Sequence, residues 1–341
     1  MDHKERFFAT VAREHVDRPA SWLGLPVDSA LPALFKHFGV ADVDALKRKL
    51  NDDIYPVMVP YNNPPSNDVG CALNFAKKGA SGKQDERTLT APGFFEDMTD
   101  PDLVKSYDWP DPEDYLDIEA SRQLVKSIPG DYAKMGIMWS AHFQDANAAF
   151  GMENALITLM MYPEMFSAVI DRITEFYLKL NEMFYEATKG YMDAVLIGND
   201  FGSQVGLIVD PELIRQYVFP GTKKLVDQAK SYGLSVMHHS CGSIYPIIGD
   251  LFAMGVDVVH PIQALAADMG AQKLKDDFGE TGSFCGGIDA QELLVNGSPV
   301  EIRQKVEELK SVFPTGLVLS PSHEAVLPDI APANVEAIFL P

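Results

Sequence analysis

The stretch Met237-His238-His239-Ser240-Cys241-Gly242 holds the residues of this chain best suited to bind a metal ion. It reads as the end of a short apolar strand. Side chains two positions apart share one face of a strand, so we expect His239 and Cys241 to point the same way and His238 to point to the opposite side. Imidazole and thiolate on one face suit a transition metal, zinc above all. His and Cys are also common in cores, so the pair alone favours metal binding only slightly.

Eight short apolar segments alternate with helical ones and predict the scaffold that positions this pair. The segments span residues 21–25, 54–59, 135–139, 194–198, 235–242, 256–260, 282–285 and 317–320. Such alternation favours a parallel sheet with helices outside it. We predict an α/β fold, a TIM (β/α)8 barrel that residues 1–341 form as a single domain. The alternative is an open doubly wound sheet, but no G-x-G-x-x-G follows the first strand.

Two segments fall outside the alternation of strands and helices. Residues 1–50, approximately, predict an N-terminal helical extension, with one helix over residues 4–16 and a polar helical stretch over residues 28–50. Residues 60–112 are rich in Pro, Asn, Gly and charge, and they predict an inserted excursion with a short strand at residues 87–90. We expect this excursion to cover one mouth of the barrel.

Polar side chains gather where the predicted strands end, and in a TIM barrel those ends carry the functional residues. The candidates at these ends are Trp139, Asn199, Asp200, Gln204, His239, Cys241, His260, Gln263, Cys285, Asp289 and His323. A catalytic zinc needs three protein ligands and one open position. We predict His239, Cys241 and His323 as these ligands, with Cys285 as a substitute or neighbour. A packed Cys285 and a loop-capping His323 are the structural alternatives.

Composition excludes several classes of function. The 341 residues carry a formal net charge of −21, which argues against nucleic acid because phosphate contacts need clustered Lys and Arg. No apolar run approaches the length of a membrane span, and the N-terminus lacks the apolar core of a signal peptide. Three cysteines, at positions 71, 241 and 285, form no disulfide framework. We therefore expect a cytoplasmic protein.

The run His239-Ser240-Cys241-Gly242 resembles the H-x-C-G element of the uroporphyrinogen decarboxylase-like superfamily, in its corrinoid-dependent methyltransferase branch. Further similar segments lie at residues 5–7, 16–19, 109–112, 255–263, 278–279 and 286–289. The resemblance covers nearly the whole chain, and these motifs are specific together and in order rather than singly. It implies a TIM barrel. For the methyltransferase branch it also implies a catalytic zinc and a partner protein that carries a corrinoid (cobalamin).

The chain departs from this pattern at one position that bears on the reaction. In the branch members that make methylated thiols, the resemblance implies zinc held by the His and Cys of H-x-C and by a later Cys. This chain has His323 where that Cys is expected. Neutral imidazole in place of thiolate leaves zinc more cationic and hence a better Lewis acid for an ether or alcohol oxygen. This favours O-demethylation over thiol activation.

The leading hypothesis is a zinc-dependent methyltransferase that moves a methyl group from a small methylated substrate, such as an aromatic methyl ether or a methylated amine, to a corrinoid protein. Asp200 and Asp289 are then predicted as catalytic residues that orient the substrate or protonate the leaving group. The predicted substrate-binding residues are Asn199, Gln204, His260, Gln263 and Trp139. Asp200 and Asp289 could instead cap loops or helices, and His260 could hydrogen-bond at the sheet rim.

Two other functions stay open at this stage. One is a metal-free decarboxylase of the same superfamily acting through Asp53 or Asp200, although the chain has no arginine cluster after Arg18-Pro19 to meet a polycarboxylate. The other is a binding protein that has lost the reaction. The residues leave open the methyl donor, the direction of transfer and whether the chain forms a homodimer.

Overall fold

The structure, a computed structural model, describes residues 1–61, 73, 75 and 91–340. Its centre is one eight-stranded sheet in which all neighbouring strands run parallel. The strands are β1 (Ala20–Ser21), β2 (Ile54–Met58), β3 (Ala133–Trp139), β4 (Ala194–Gly198), β5 (Ser235–His239), β6 (Val258–Ile262), β7 (Ser283–Ile288) and β8 (Leu317–Pro321). The spatial order is β1-β8-β7-β6-β5-β4-β3-β2. Asp53 N–H donates to the carbonyl oxygen of Ser21 at 3.0 Å, which links the two end strands. The predicted TIM barrel is confirmed.

Helices surround this sheet. They are α1 (His3–Val11), α2 (Leu31–Phe38), α3 (Val43–Leu50), α4 (Ile118–Ser127), α5 (His142–Phe150), α6 (Met152–Met161), α7 (Pro163–Ala187), α8 (Pro211–Leu213), α9 (Phe219–Ser231), α10 (Tyr245–Ala253), α11 (Ala271–Phe278), α12 (Leu293–Asn296), α13 (Pro299–Val312) and α14 (Pro332–Phe339). A π-helical turn, Ile214–Val218, joins α8 to α9. No helix in the described part of the chain is both long enough and apolar enough to cross a membrane.

The strands separate two apolar layers, as expected when both faces of a parallel sheet are buried. The inner layer fills the barrel and includes Met237 and Cys285 together with Phe7 from α1. The outer layer lies between the strands and the helices and includes Val236. His238 faces this outer layer, where its ring stacks on Phe201 at 6.0 Å. The alternation along β5 therefore turns His239 toward the barrel axis.

The N-terminal extension closes the amino end of the barrel through a group of charged side chains that we call the amino-end cluster: His3, Arg6, Arg18 and Asp53. Asp53 immediately precedes β2. One of its oxygens accepts from Arg6 Nη1 at 2.7 Å and the other from Arg18 Nη1 at 2.6 Å. Burial raises the pKa of Asp53, but the bonds from His3 and Arg18 outweigh it and lower the pKa. Asp53 is thus remote from the carboxyl ends of the strands, which contradicts the role that the decarboxylase alternative gave it.

The described part of the predicted excursion contains the 3₁₀ helix Pro101–Ser106, and a second 3₁₀ helix, Pro112–Asp114, begins at its end. Phe95 N–H donates to the carbonyl oxygen of Ala149 at 2.9 Å, so this segment lies against α5. The short strand predicted at residues 87–90 lies outside the described residues.

Several element boundaries differ from the predictions. The polar stretch over residues 28–50 forms two helices, because Gly39 ends α2 in the left-handed conformation at φ 66°. The first predicted strand shortens to Ala20–Ser21. Helix α5 was not predicted, and it begins only two residues after Ser140.

Candidate metal centre

The end of β5 is held in place by a close contact with the loop after β4. Gly242 has φ 84°, and a Cβ atom at this position would lie 2.5 Å from the carbonyl carbon of Gly202. Only glycine fits there without moving the backbone. Cys241 N–H also donates to Asp200 Oδ1 at 2.9 Å. The glycine of H-x-C-G therefore allows the β4 loop to bring Asp200 beside Cys241.

The side chains of Asp200, His239 and Cys241 converge at this carboxyl end, and we call them the donor cluster. His239 Nε2 lies 3.3 Å from Cys241 Sγ and 3.3 Å from Asp200 Oδ1. Each residue offers one ligand atom, and the three atoms lie within 4.8 Å of one another. Donors bound tetrahedrally to zinc at its usual bond lengths are about 3.3–3.6 Å apart. The spacing of the donor cluster fits a zinc ion.

The electrostatics of the donor cluster favour a cation among anionic groups. Burial lowers the pKa of His239, but hydrogen bonds with Asp200 and Cys241 and the charge of Glu324 raise it to about 10. Burial raises the pKa of Asp200 and of Cys241, but their hydrogen bonds with His239 outweigh it. The pKa of Asp200 falls to about 2, and that of Cys241 also falls. Thiolate and carboxylate are the forms that bind metal.

His323, the predicted third ligand, lies beside Cys241, and their hydrogen bond raises the pKa of His323 despite burial. Its Nδ1 accepts the backbone N–H of Ala325 at 3.0 Å. A neutral imidazole that accepts at Nδ1 carries its proton on Nε2. To bind a metal through Nε2, the ring would have to give up the contact with Ala325. Asp200 needs no such change, so the fold offers it as a third ligand beside the predicted His323.

His260 lies behind the donor cluster rather than in open space. It is completely buried, and its Nδ1 lies 2.9 Å from Nδ1 of His239. Burial lowers the pKa of His260 well below its ordinary value, so the ring is neutral and its Nδ1 can accept the Nδ1–H of His239. With Nδ1–H bound to His260, Nε2 is the nitrogen toward Cys241, and it could bind a metal once the metal displaces its proton. His260 was predicted to bind substrate, but its burial points to orienting a ligand instead.

Trp139 reaches the donor cluster through a strained strand end. Trp139 and Ser140 have φ angles of 55° and 51°, in the left-handed region where a bulky residue costs about 1–3 kcal/mol. The Trp139 ring meets His239 edge-on at 5.2 Å between centroids. Backbone strain at this position therefore places an aromatic wall against the predicted ligand.

The other predicted substrate-binding residues have diverse surroundings. Asn199 is buried, and its Oδ1 accepts from the backbone N–H of Phe143 at 2.8 Å. Gln204 is exposed on the loop after β4. Gln263 Oε1 accepts the backbone N–H of Gly242 at 2.5 Å. Of these three, Gln263 is the one that contacts the H-x-C-G segment.

Asp289 and Cys285 make contacts away from the donor cluster. The carboxylate of Asp289 accepts three backbone N–H groups at the start of α12, those of residues 291, 292 and 293, at 2.8–3.2 Å. This is the capping alternative, and it conflicts with the predicted catalytic role because both oxygens are already used. Cys285 is completely buried in the inner layer, where burial raises the pKa of its thiol. A thiol held protonated in that layer is a poor metal ligand.

Glu324 belongs to the site although it was not predicted as a site residue. One of its oxygens lies 3.6 Å from His239 Nδ1 and 3.5 Å from His323 Nδ1. That oxygen is buried without a hydrogen-bond partner among the described residues. The backbone carbonyl oxygen of Glu324 accepts the N–H of Leu25 at 2.6 Å, which fixes the backbone there. The sequence could have indicated Glu324 through its position next to His323, after the last strand.

Comparison with known proteins supports the resemblance seen in these residues. The family model described as uroporphyrinogen decarboxylase (URO-D) matches residues 69–340. The chain belongs to the URO-D family. The superfamily predicted from the H-x-C-G run is thereby confirmed. No match is found among curated proteins.

The structure of this URO-D family chain is also similar to a solved structure of another protein. A methyltransferase from Methanosarcina mazei superimposes with a TM-score of 0.67 over 99% of this chain and 97% of that chain. The two sequences are 16% identical. At that identity the likeness concerns the fold, and it agrees with the barrel described above.

Proposed function

We propose that this protein is a zinc-dependent methyltransferase that moves a methyl group from a small methylated substrate to a corrinoid carried by a partner protein. The observation that carries this proposal is the convergence of Asp200, His239 and Cys241 at the carboxyl end of the barrel, with donor spacing that fits zinc. The fold shared with a methyltransferase supports the reaction class. The barrel end is where such enzymes do their chemistry.

His239 and Cys241 would hold the metal, with Asp200 or His323 as the third ligand. A zinc ion bound there would polarise the substrate heteroatom and stabilise the charge left on it as the methyl group departs. With His323 as the third ligand, the metal would have one anionic ligand and a high Lewis acidity, whereas with Asp200 it would have two anionic ligands. His260 orients His239 through the Nδ1 contact at 2.9 Å, and Trp139 limits the space beside it.

The chain's own residues also account for the proton that the leaving oxygen needs. Glu324 and His323 lie 3.5 Å apart and next to the donor cluster. His323 is partly exposed, so it can exchange protons with water. We assign this pair to deliver a proton to the oxygen after methyl transfer, a role that replaces the one predicted for Asp289.

The match to the family model described as uroporphyrinogen decarboxylase favours the metal-free decarboxylase as a second function. Asp53, one of the catalytic residues proposed for it, is however enclosed by the other members of the amino-end cluster. Arg6 and Arg18, which could otherwise meet a carboxylated substrate, both bind Asp53. Activity on a carboxylated substrate that survives complete chelation of metal would favour this second function.

Elemental analysis and a methyl-transfer assay test the proposal together. We expect the purified protein to contain stoichiometric zinc and to methylate free cob(I)alamin, followed by absorbance, with a panel of methyl ethers and amines as donors. Chelation should abolish turnover, and added zinc should restore it. His239→Ala should remove both the metal and the activity.

A matched control is His15→Ala, since His15 is exposed on the N-terminal extension and remote from β5. This variant should keep both zinc and turnover. Protein without stoichiometric metal, together with turnover that His239→Ala leaves unchanged, would contradict the proposal.

A further inference from the structure

A cavity opens beside the donor cluster, between the loops that follow β6, β7 and β8. Its volume is about 150 Å³, and it is lined by Gln263, Ala290, Gln291, Ser322, His323, Ala325, Leu327 and Ile330. It shares His323 with the candidate metal centre. Gln263 ties the cavity wall to that centre through its bond with Gly242. A molecule in this cavity would contact His323, which lies beside Cys241.

Apart from His323, on the wall shared with the metal centre, the described lining offers no titratable partner for a charged group. Among the described residues around the cavity there is no Lys or Arg to meet a carboxylate, and no Asp, Glu, Phe, Tyr or Trp to meet a quaternary ammonium group. Half of the lining side chains are aliphatic. Burying an unpaired charge there would be costly.

The size and polar groups of the cavity suit one aromatic ring. A cavity of about 150 Å³ with apolar walls is large enough to bind benzene. Gly242 N–H fixes the orientation of the Gln263 amide, because only its oxygen can accept that proton, and this leaves the NH₂ group as a donor. Ser322 Oγ accepts from Ala290 N–H at 3.0 Å and keeps its own hydroxyl proton free to donate. Both groups can donate to an ether or phenol oxygen.

We infer that this cavity is the substrate subsite and that it takes an uncharged methyl ether of a single aromatic ring. This inference rests on the proposed function and narrows its substrate class. The aliphatic side chains of Leu327 and Ile330 would contact the ring. The methoxy group would face His323 and Cys241, where the oxygen left after methyl transfer can be stabilised.

Binding measurements on the full chain test this inference without requiring turnover. Isothermal titration calorimetry would compare methoxybenzene with 4-methoxybenzoate and tetramethylammonium, for zinc-loaded and for metal-free protein. We expect methoxybenzene to bind both forms and each charged probe to bind about tenfold more weakly or worse. With the methoxy group toward His323, the para carboxylate of 4-methoxybenzoate would lie at the far, aliphatic end of the cavity, and the described lining has no acidic or aromatic side chain for the ammonium group.

Two substitutions fill the cavity from different walls: Ala290→Leu from the β7 loop, and Leu327→Trp from a half-exposed position. Each should weaken methoxybenzene binding by about tenfold or more, since the ring loses its apolar contacts. Ala267→Leu is the matched control, because Ala267 is exposed on the β6 loop and does not line the cavity. It should bind as the wild type does.

Three results would overturn the inference. They are no binding of methoxybenzene to the wild type, a charged probe that binds more tightly, or unchanged binding in both filling variants when thermal unfolding shows them folded. Zinc content and methyl transfer from another donor would still be intact in each case. Conversely, methoxybenzene bound by a protein that never holds zinc would contradict the proposed function and leave the cavity assignment standing.

Discussion

The two ends of the barrel both bury ionisable side chains, but they satisfy them in opposite ways. In the amino-end cluster, each oxygen of Asp53 meets a guanidinium group, and every charge has a partner. In the donor cluster, a carboxylate oxygen, a sulfur and an imidazole nitrogen face one another. Among the described residues, no Lys or Arg forms an ion pair with Asp200 or Glu324.

This difference separates architecture from chemistry. A buried charge with complete partners holds the N-terminal extension to the barrel and has no capacity left for a ligand. In the donor cluster the positive charge beside Asp200 and Cys241 is carried by a proton on His239, and a bound metal ion would displace that proton. Both clusters perturb pKa values strongly, so perturbation alone does not identify a site. What distinguishes a candidate site is the sign of the neighbouring charges and whether every charged group has a partner.

The largest effect should come from Asp53→Asn. Removing this fully buried carboxylate takes the shared anionic partner from Arg6 and Arg18 at once, so the free energy of unfolding should fall by about 3–5 kcal/mol. Urea unfolding measures it. Asp17→Asn is the control, since Asp17 also binds Arg6 but is 47% exposed and should contribute about 0–1 kcal/mol. Equal losses, or altered zinc affinity in folded Asp53→Asn, would break the distinction between the two ends.

Substitutions in the donor cluster should act on the metal instead of the fold. Cys241→Ser should weaken zinc binding by about 100-fold or more. This loss is larger than the one expected when a residue that only orients a ligand is removed, about 10–100-fold. If Asp200 is the third ligand, Asp200→Asn should do the same, while His323→Ala costs about 10–100-fold through its lost bond to Cys241. Competition with a chromophoric chelator measures these affinities. The reverse ranking would establish His323 as the third ligand.

His260→Ala should reduce zinc affinity by about 10–100-fold, because His239 loses the partner that orients its ring. His260→Asn places an amide oxygen where Nδ1 lies and should recover most of the affinity. The absorption spectrum of the cobalt(II)-substituted protein should shift in the alanine variant and return in the asparagine variant. A spectrum unchanged in His260→Ala would remove the orienting role.

The smallest effect concerns acid stability. The pKa of Asp53 is lowered below its ordinary value of 3.8 in the folded protein. The unfolded chain therefore binds the extra proton first. The stabilisation is complete above pH 3.8 and is lost as pH falls through the folded pKa, by up to about 1.4 kcal/mol per pH unit. Unfolding free energies from about pH 6 to about pH 3 should show the wild type converging on Asp53→Asn. A constant difference would contradict it.

Much of the scaffold was predictable because burial on both faces of a parallel sheet demands short, continuous apolar runs. Residues 194–198 form β4 with the predicted bounds. The amphipathic helix over residues 299–312 also has its predicted bounds, helped by the capping box of Ser298 and Glu301. Helix α5 was missed because it follows β3 with no intervening loop long enough to mark its start.

The candidate site was predictable in part. His239 and Cys241 share a face because strands alternate with period two, and the barrel rule brings Asp200 to the same end. The three amides capped by Asp289 depend on the path of one loop, which no local pattern specifies. Likewise, the contact between His239 and His260 depends on the register of β5 against β6, which pairs these two residues.

The sequence by itself determined the eight strands, the barrel and the His-x-Cys pair, because these follow from local periodicity and from the chemistry of individual side chains. Only the tertiary structure decided which polar groups remain free. Asp53 is neutralised at one end, Asp289 is consumed by backbone amides, and Asp200 is left beside His239. Such outcomes are decided by pairings between residues distant along the chain, and those pairings exist only once the strands have closed around a common axis.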